Sequence, residues 1–477
     1  MNDGDVARMR DQLDAARAAF MADLPVSAAV RRDRLSRAIA MLVDHQQHWC
    51  DACAEDFGDR PRQLTLLTDI NPAIAALKHA RSHVSRWKRP ERRASVFPLG
   101  FLGGRSRIEY QPKGVVGIIA PWNFPVAMVM SPLGGIFAAG NRAMAKPSEF
   151  TPTVAALFAA LAPDYFDPTE FAIVTGEVEA AQAFSSMPFD HIIFTGATGV
   201  GRHIMRAAAD NLVPVTLELG GKSPVIVGAG ANIDQMAGRV AMGKLMNAGQ
   251  ICLAPDYVLV DKGREEPLVD ALISHASAMY PSVLSNPDYT AIINDRHHAR
   301  LSALIDDARG KGADVIVVNP AGEDFATANR RKMPLHIIRG ARDDMAVMQQ
   351  EIFGPILPIR TADSTDAAID YVNTHDRPLG LYYFGNDADE QRRVLDRTIS
   401  GGVTINDVIF HIVQDALPFG GIGASGMGHY HGVEGFRTFS HAKSIYRQSG
   451  FDVAKLAGLR PPYTKATERQ IALGLRK

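Results

Sequence analysis

The distribution of apolar and polar positions divides the chain into an N-terminal helical part and a long α/β part. Residues 1–60 carry apolar positions at helical spacing and contain no segment typical of a strand. From Val115 onward, short apolar runs alternate with longer helical stretches, and this alternation favours parallel strands with helices on both faces of a sheet. The runs predict strands at residues 115–119, 142–145, 171–174, 192–194, 215–219, 225–227, 257–260, 315–318, 335–338, 356–359 and 381–384.

A glycine-rich segment between these two parts predicts a hairpin that stands apart from the main core. Residues 97–114 are punctuated by Pro98 and Pro112, and apolar and polar positions alternate over residues 105–110. Such a hairpin exposes strand edges that another subunit could pair. We therefore expect an oligomer.

One uncharged stretch is long enough to be mistaken for a membrane span. The 28 residues between Lys113 and Arg142 carry no charge. Prolines and glycines interrupt the stretch, and a proline inside a helix removes hydrogen bonds that lipid cannot replace. We interpret the stretch as a buried strand, a loop and then a helix that begins near Pro125.

Composition excludes several other classes of protein. A chain of 477 residues exceeds the size of a single hydrophobic core, so two or more domains are expected. Hydrophobic residues at 46% and charged residues at 22% are typical of a globular protein. Lys and Arg total 51 against 52 Asp and Glu, which argues against nucleic acid as the main partner. Three cysteines are too few for a disulfide scaffold and fit a reducing cytoplasm.

The cysteines differ in their surroundings. Cys252 lies between Gly249 and Pro255, where a loop between helix and strand is expected, so it is either a positioned nucleophile or a buried thiol. Cys50 and Cys53 form a Cys-x-x-Cys pair in a helical segment, with neither a βαβ context nor a second ligand pair. We interpret these two as packing residues.

Two further polar residues have both a catalytic and a structural interpretation. Glu218 ends a predicted strand and precedes two glycines, so it is either a general base or a carboxylate paired with Lys222. Asn123 lies between Pro121 and Pro125 in an apolar segment. Its amide is either an oxyanion donor or part of an ordinary turn.

Two strand–turn–helix junctions could hold a nucleotide. The turn from Thr195 to Gly201 opens a helix, and a glycine turn there lets backbone N–H groups approach a pyrophosphate. Its spacing departs from Gly-x-Gly-x-x-Gly, so a junction without ligand remains open. Lys146 and Glu149 offer a cation and a carboxylate for ribose hydroxyls, or an ordinary turn. His429-x-His431 lacks further ligands, so no metal is expected.

Together these motifs resemble the NAD(P)-dependent aldehyde dehydrogenase superfamily, and within it the class 3 branch. The class 3 features are the segments 247–257 and 418–432, and residues 120–151 with the tail are similar to bacterial coniferyl aldehyde dehydrogenases. The resemblance implies an α/β fold of two Rossmann-type domains and a small β bridging element. The implied boundaries are 1–97 and 115–219 for the NAD-binding domain, 220–415 for the catalytic domain, and 98–114 and 433–477 for the bridging and oligomerisation element.

The resemblance also implies a role for each candidate residue. Cys252 would be the nucleophile, Glu218 the base that activates water, and Asn123 an oxyanion donor together with the backbone N–H of Cys252. The implied cofactor contacts are Trp122, Lys146, Glu149, Thr195, Gly196, Thr198, Val200, Gly201, Glu351 and Phe353.

The implied reaction is NAD(P)-dependent oxidation of an aldehyde to the acid through a thiohemiacetal and a thioester. An aromatic or cinnamyl aldehyde such as coniferyl aldehyde is expected, with medium- or long-chain aliphatic aldehydes as the alternative. The carboxylate of Glu149 favours NAD over NADP. A cytoplasmic homodimer or dimer of dimers without metal, nucleic acid or membrane is expected. A cofactor-free thiol esterase and a non-catalytic crystallin-type protein are the competing hypotheses.

Overall fold

The computed structural model describes residues 3–97, 99–326, 331–456 and 458–476. Residues 98, 457 and 477 of the expected bridging element lie outside this part of the chain. The described helices, in chain order, are α1 (Asp3–Ala22), α2 (Ala28–Asp44), α3 (Gln46–Phe57), α4 (Arg62–Thr65), α5 (Asn71–Trp87), α6 (Ala127–Ala139), α7 (Pro152–Tyr165), α8 (Val178–Ser185), α9 (Thr198–Ala209), α10 (Ile233–Leu245), α11 (Glu265–Met279), α12 (Asp295–Gly310), α13 (Ala346–Gln349), α14 (Thr365–Asn373), α15 (Ala388–Arg397), α16 (Gly432–Thr438), α17 (Val453–Leu456) and α18 (Lys465–Gly474).

The strands form three sheets. The described strands are β1 (Glu91–Arg93), β2 (Arg105–Pro112), β3 (Val115–Ile119), β4 (Arg142–Lys146), β5 (Phe171–Ile173), β6 (His191–Gly196), β7 (Val215–Leu219), β8 (Pro224–Val227), β9 (Tyr257–Val260), β10 (Asp314–Val317), β11 (His336–Arg339), β12 (Ile356–Thr361), β13 (Gly380–Phe384), β14 (Gly402–Ile405), β15 (Gly426–Met427) and β16 (Ser440–Arg447). Every strand predicted from the apolar runs is present, with ends within two residues.

A six-stranded sheet, in the order β15-β7-β6-β3-β4-β5, follows the N-terminal helices. Its strands from β3 to β7 pair in parallel, as the alternation of strands and helices predicts. The two-residue strand β15 pairs antiparallel with β7 and sets Gly426 opposite Glu218. The C-terminal glycine-rich motif therefore lies against the strand that carries Glu218.

A seven-stranded sheet, in the order β10-β11-β12-β9-β8-β13-β14, forms the second α/β layer. Most of its pairs are parallel, but β10 and β11 are antiparallel, so the expectation of wholly parallel pairing is wrong there. The described part of the connection between these two strands holds no helix. Antiparallel neighbours do not require the helical crossover that parallel strands need.

The predicted hairpin at residues 97–114 is wrong in its partners. The strand β2 lies at the centre of a three-stranded sheet, in the order β1-β2-β16. Its neighbours lie before the glycine-rich segment and near the C-terminus, and β16 pairs with it over eight residues. Local turn signals indicated a strand here, but long-range pairing chose its partners.

The N-terminal helices pack on the first sheet around a shared apolar core. Leu35, Leu42, Leu77 and Leu133 contribute to this core and are fully buried. The uncharged stretch forms β3 and α6, as predicted, although α6 begins at Ala127. In the described part of the chain, no helix has both the length and the apolar character needed to cross a membrane.

Candidate active site

Cys252 lies on a turn between α10 and β9, in a backbone that turns sharply. Asn247 and Ala248 have φ of 51° and Gly249 has φ of 73°, so three consecutive residues adopt the left-handed conformation. A side chain at Gly249 would collide with the carbonyl of Gly354, which explains the glycine. Such strain is typical of functional sites held by the surrounding fold. The turn leaves Cys252 partly exposed.

Gln250 holds this turn and was missed by the sequence reasoning. Its side chain is fully buried and donates to the carbonyls of Asn247 and Ala291, at 3.0 Å each. Its Oε1 accepts from the backbone N–H of Ile293 at 3.0 Å. A buried amide with all these partners fixes the turn, because leaving any of them unpaired would be costly. The signal in the sequence was its place two residues before the cysteine.

Glu218 lies near the carboxyl end of β7 with its side chain buried. Neither carboxylate oxygen has a hydrogen-bond partner within the described residues. Lys222 does not pair with it; it binds Asp256 instead and donates to the backbone carbonyls of Val347 and Gln350. The hypothesis of a Glu218–Lys222 pair is therefore wrong.

Burial and neighbouring carboxylates shift three pKa values in the same direction. Burial, and then the charge of Glu351, raises the pKa of Glu218 well above its usual range. Burial raises the pKa of Cys252, to which both carboxylates contribute. Burial, and then Asp256, raises the pKa of Glu351 to about 7. The structure thus brings Cys252, Glu218 and Glu351 within electrostatic range of one another.

Asn123 contacts the turn that leads to Cys252. Its side-chain Nδ2 donates to the carbonyl of Gln250 at 3.1 Å, and its own carbonyl accepts from Asn247 Nδ2 at 3.2 Å. Only 5% of Asn123 is exposed. An amide carries two N–H donors, and the bond to Gln250 uses one of them. Asn123 is thus linked to the turn on which Cys252 lies.

The turn before α9 fits the phosphates of a dinucleotide. Thr198 begins the helix, and its hydroxyl donates to the carbonyl of Ala424 at 3.1 Å. A Cβ at Gly199 would meet nothing within 4 Å, so the helix N-terminus is open. A Cβ at Gly201 would lie 2.7 Å from Leu219, and one at Gly196 would lie 2.6 Å from Phe194. These two glycines let the helix and turn pack closely on the sheet.

Two carboxylates on loops, Glu149 after β4 and Glu351 between α13 and β12, are candidates for binding ribose hydroxyls. Lys146 donates to Glu149 at 3.4 Å, beside the N-terminus of α7. Glu351 packs against Gly220, and its Oε1 has no partner among the described residues. Lys222 and Asp256 hold the segment before and after Glu351, since Asp256 accepts from the N–H of Ile352 at 2.9 Å.

A cleft of about 360 Å³ lies in front of these groups, and the residues fit a bound dinucleotide. Glu351, Thr198, Gly220 and Lys222 line it. Trp122 and Phe353 are not among the residues that line this cleft; they meet edge to face, with ring centroids 5.3 Å apart. Among the other expected contacts, Thr195 is buried and Val200 is exposed on the first turn of α9. The ten expected cofactor residues come from separated parts of the sequence.

Tyr430 and Tyr382 are further residues that the sequence reasoning missed. Both are buried, and the hydroxyl of Tyr382 donates to the carbonyl of Leu253 at 2.5 Å. The charges of Glu218 and Cys252 contribute to the raised pKa of Tyr430, after burial. In the sequence, Tyr430 lies between His429 and His431, where no metal is expected. Among the described residues, no group of three or more His, Cys, Asp or Glu is placed to hold a metal ion.

Comparison with known proteins gives one consistent result. Residues 1–445 match the model of the aldehyde dehydrogenase family. The chain is 51% identical over 477 residues to the probable coniferyl aldehyde dehydrogenase of Caulobacter vibrioides, covering 100% of this chain and 98% of the relative. It is 52% identical over 454 residues to the coniferyl aldehyde dehydrogenase of Pseudomonas sp. strain HR199, covering 95% and 93%.

Solved structures confirm the α/β fold that the resemblance implied. The substrate-bound Staphylococcus aureus AldH matches with a TM-score of 0.90 and 34% identity, covering 99% of this chain and 100% of that one. A Mycobacterium tuberculosis aldehyde dehydrogenase in complex with NAD+ matches with a TM-score of 0.82 and 27% identity, covering 92% and 90%.

Proposed function

This chain belongs to the aldehyde dehydrogenase family, and we propose that cinnamyl-type aromatic aldehydes, coniferyl aldehyde among them, are its substrates. The reaction is the NAD(P)-dependent oxidation of an aldehyde to the carboxylic acid. Two observations carry the residue assignment: Asn123 donates to Gln250 in the turn that leads to Cys252, and the charge of Glu218 acts on the Cys252 thiol. The two relatives named as coniferyl aldehyde dehydrogenases, each about half identical to the chain, support the substrate class.

In the proposed mechanism, Cys252 gives up its proton to solvent water and its sulfur adds to the aldehyde carbon. The carbonyl oxygen becomes an oxyanion, which receives hydrogen bonds from Asn123 Nδ2 and the backbone N–H of Cys252. NAD(P), when bound, accepts the hydrogen and two electrons that leave the aldehyde carbon. The former aldehyde carbon is then the acyl carbon of a thioester with the Cys252 sulfur.

Hydrolysis of the thioester requires a base, and we assign this role to Glu218. Its carboxylate takes a proton from water, the hydroxide adds to the thioester carbon, and the acid leaves as the Cys252 sulfur regains a proton. A raised pKa makes the ionised carboxylate a stronger base. Because neither oxygen has a hydrogen-bond partner in the part of the chain that the structure describes, both are available to water.

The chain's own residues are proposed to hold the cofactor at three points. The N-terminus of α9, with Thr195, Gly196, Thr198, Val200 and Gly201, would hold the pyrophosphate. Lys146 and Glu149 would meet the adenosine ribose, and Glu351 and Phe353 the nicotinamide ribose. Trp122 packs against Phe353 and would border the same site.

A substrate series tests the proposed class. We expect kcat/KM for coniferyl aldehyde and cinnamaldehyde to exceed that for hexanal and decanal by about tenfold or more. The physical reason is the aromatic and apolar core beside Cys252, which includes Phe419 and Tyr430. Steady-state rates with saturating cofactor measure it. Higher kcat/KM for the aliphatic aldehydes would favour the alternative substrate class.

A second prediction concerns the choice between NAD and NADP. Glu149 would lie beside the ribose, and the charge of Glu177 also acts on Lys146, so two carboxylates would face a 2′-phosphate. We expect kcat/KM for NAD to exceed that for NADP by about tenfold. Glu149→Gln should reduce this NAD-to-NADP ratio of kcat/KM, mainly by lowering KM for NADP. An unchanged ratio in this variant would contradict the role of Glu149.

A third prediction concerns assembly, which we propose to be a homodimer or a dimer of dimers in the cytoplasm. The strand β16 is an edge of the three-stranded sheet, and most of its side chains are exposed. Phe97 and Phe101 are more than 80% exposed on the adjoining loop. Open edges and apolar patches favour pairing between copies. Light scattering should give at least twice the 51.7 kDa of one chain, and a monomer mass would contradict the proposal.

The boundaries of the structural units are proposed to follow the three sheets. Residues 1–97 and 115–219 would form the NAD-binding domain, and residues 220–415 the catalytic domain. Residues 98–114 and 433–477 would form the bridging element. The six-stranded, seven-stranded and three-stranded sheets support this division, although β1 lies outside the last range and β15 lies between the assigned ranges.

A further inference from the structure

A buried ion pair lies beneath the segment that carries Asn123. Arg60 and Asp69 pair through Nη2 and Oδ2, and the side chains of both are completely buried. Asp69 lies in a π-helical turn at Leu66–Ile70, between α4 and α5. Such turns are uncommon and are frequently found at functional sites. Neither residue carries a role in the proposed chemistry.

Asp69 holds the end of this segment where α6 begins. Its Oδ1 accepts from the backbone N–H groups of Val126 and Ala127, at 3.1 and 3.0 Å. These groups belong to the first turn of the helix and have no partner within it. A carboxylate at this position also interacts favourably with the helix dipole. The contact explains why α6 begins at Ala127.

Arg60 holds the other end of the segment. Its Nη1 donates to the backbone carbonyl of Asn123 at 2.8 Å. The guanidinium lies 4.6 Å from the ring centre of Phe57 and 5.4 Å from that of Phe124, so stacked aromatic rings restrict its position. One ion pair therefore fixes residues 123–127 at both ends.

The free-energy cost of burying two charges suggests that this ion pair does more than stabilise the fold. Removing two charges from water is costly, and replacing a buried pair with apolar residues of similar volume often leaves stability unchanged. Placement of a catalytic donor is more demanding, since a misplacement of about 1 Å can cost about 10²-fold in rate. The Arg60 guanidinium donates to two groups at the same time: Nη2 binds the carboxylate of Asp69 and Nη1 binds the backbone carbonyl of Asn123.

We propose that Arg60 and Asp69 are positioning residues that hold Asn123 where its amide meets the oxyanion formed at Cys252. This proposal rests on the oxyanion role assigned to Asn123. It adds two residues from the segments that connect the N-terminal helices α3, α4 and α5 to the machinery of the site. They act through the backbone of the Asn123 segment and do not touch the substrate.

The test compares Arg60→Met/Asp69→Asn in the wild-type and Asn123→Ala backgrounds. The readouts are hydrolysis of 4-nitrophenyl acetate without cofactor, kcat for aldehyde oxidation, and Tm. Asn123→Ala should cost about 10²–10³-fold, the usual loss for one oxyanion donor. The double variant should cost about 10–100-fold in both activities. In the Asn123→Ala background it should cost less than about threefold more, because residues acting through one group are not additive.

A control is the ion pair of Arg34 in α2 with Glu170 just before β5, whose Nε and Oε1 lie 2.9 Å apart; the Arg34 side chain is buried and that of Glu170 is partly exposed. Arg34→Met/Glu170→Gln should keep both activities within about twofold, whatever its effect on Tm. Should the main variant fail to fold, Arg60→Lys serves instead. A lysine keeps the charge but cannot reach both partners. It should show the same loss of ester hydrolysis and the same masking by Asn123→Ala.

Distinct results overturn distinct claims. An equal loss in both backgrounds would mean that the pair acts independently of Asn123, which overturns the positioning role alone. A folded double variant with full ester hydrolysis would overturn it as well. A loss of less than about threefold in Asn123→Ala itself would overturn the oxyanion role of Asn123, and the inference with it.

Discussion

Replacing Cys252 with alanine is expected to abolish aldehyde oxidation, lowering kcat/KM by about 10⁴-fold or more. The sulfur forms the covalent bond on which both halves of the proposed reaction depend, and loss of a nucleophile removes most of the rate enhancement in comparable enzymes. The same variant should lose hydrolysis of aryl esters without cofactor. Steady-state rates of both reactions measure the effect, and Tm should stay within a few degrees because Cys252 is only partly buried.

Two cysteines of this chain provide the matched control. Cys50 and Cys53 are buried in α3 and unpaired by any disulfide among the described residues. Burial raises the pKa of both thiols, which keeps them protonated and unreactive. Alanine at either position should leave kcat within about twofold. Aldehyde oxidation that survives in Cys252→Ala would refute the assignment of Cys252 as the nucleophile.

Glu218→Gln is expected to stop the cycle after the first half-reaction. Without the base, kcat should fall by about 10²–10⁴-fold, while one equivalent of reduced cofactor forms rapidly. The thioester should then accumulate on Cys252, and mass spectrometry should detect one acyl group per chain. The control is Glu351→Gln, which should raise KM for the cofactor without accumulation of acyl-enzyme. A Glu218→Gln variant with unchanged kcat would exclude Glu218 as the base.

The same variant predicts a pH-dependent gain in stability. The pKa of Glu218 is raised in the folded protein, so between the ordinary carboxyl pKa of about 4.3 and the raised value the folded state binds more protons than the unfolded state. Stability of the wild type therefore falls as the pH rises through this range. Glutamine carries no such proton, so the Tm difference, variant minus wild type, should grow from pH 5 to pH 8. A constant difference would contradict a protonated Glu218.

Local sequence patterns were sufficient for most elements but not for their partners. The strands β3 and β9 coincide with the predicted runs, because a strand buried on both faces is a continuous apolar stretch bounded by turns. The strand β2 was visible in its alternation, yet its partners β1 and β16 were not. Pairing across more than 300 residues leaves no trace in a short window.

The candidate site divides in the same way. Cys252, Glu218 and Asn123 became candidates because each stands beside glycines or prolines, but the local motifs left two interpretations open and only the resemblance implied their roles. Gln250 was missed because its role depends on carbonyls from Asn247 and Ala291, which no motif links.

The sequence by itself determined the family, the α/β order of elements and the residue types available for chemistry. Only the tertiary structure decided which charges face one another. It separated Glu218 from Lys222, gave Lys222 to Asp256, and placed Arg60 and Asp69 beneath Asn123. The physical reason is that apolar periodicity and turn chemistry act over a few residues, whereas burial and charge pairing depend on side chains brought together from distant segments.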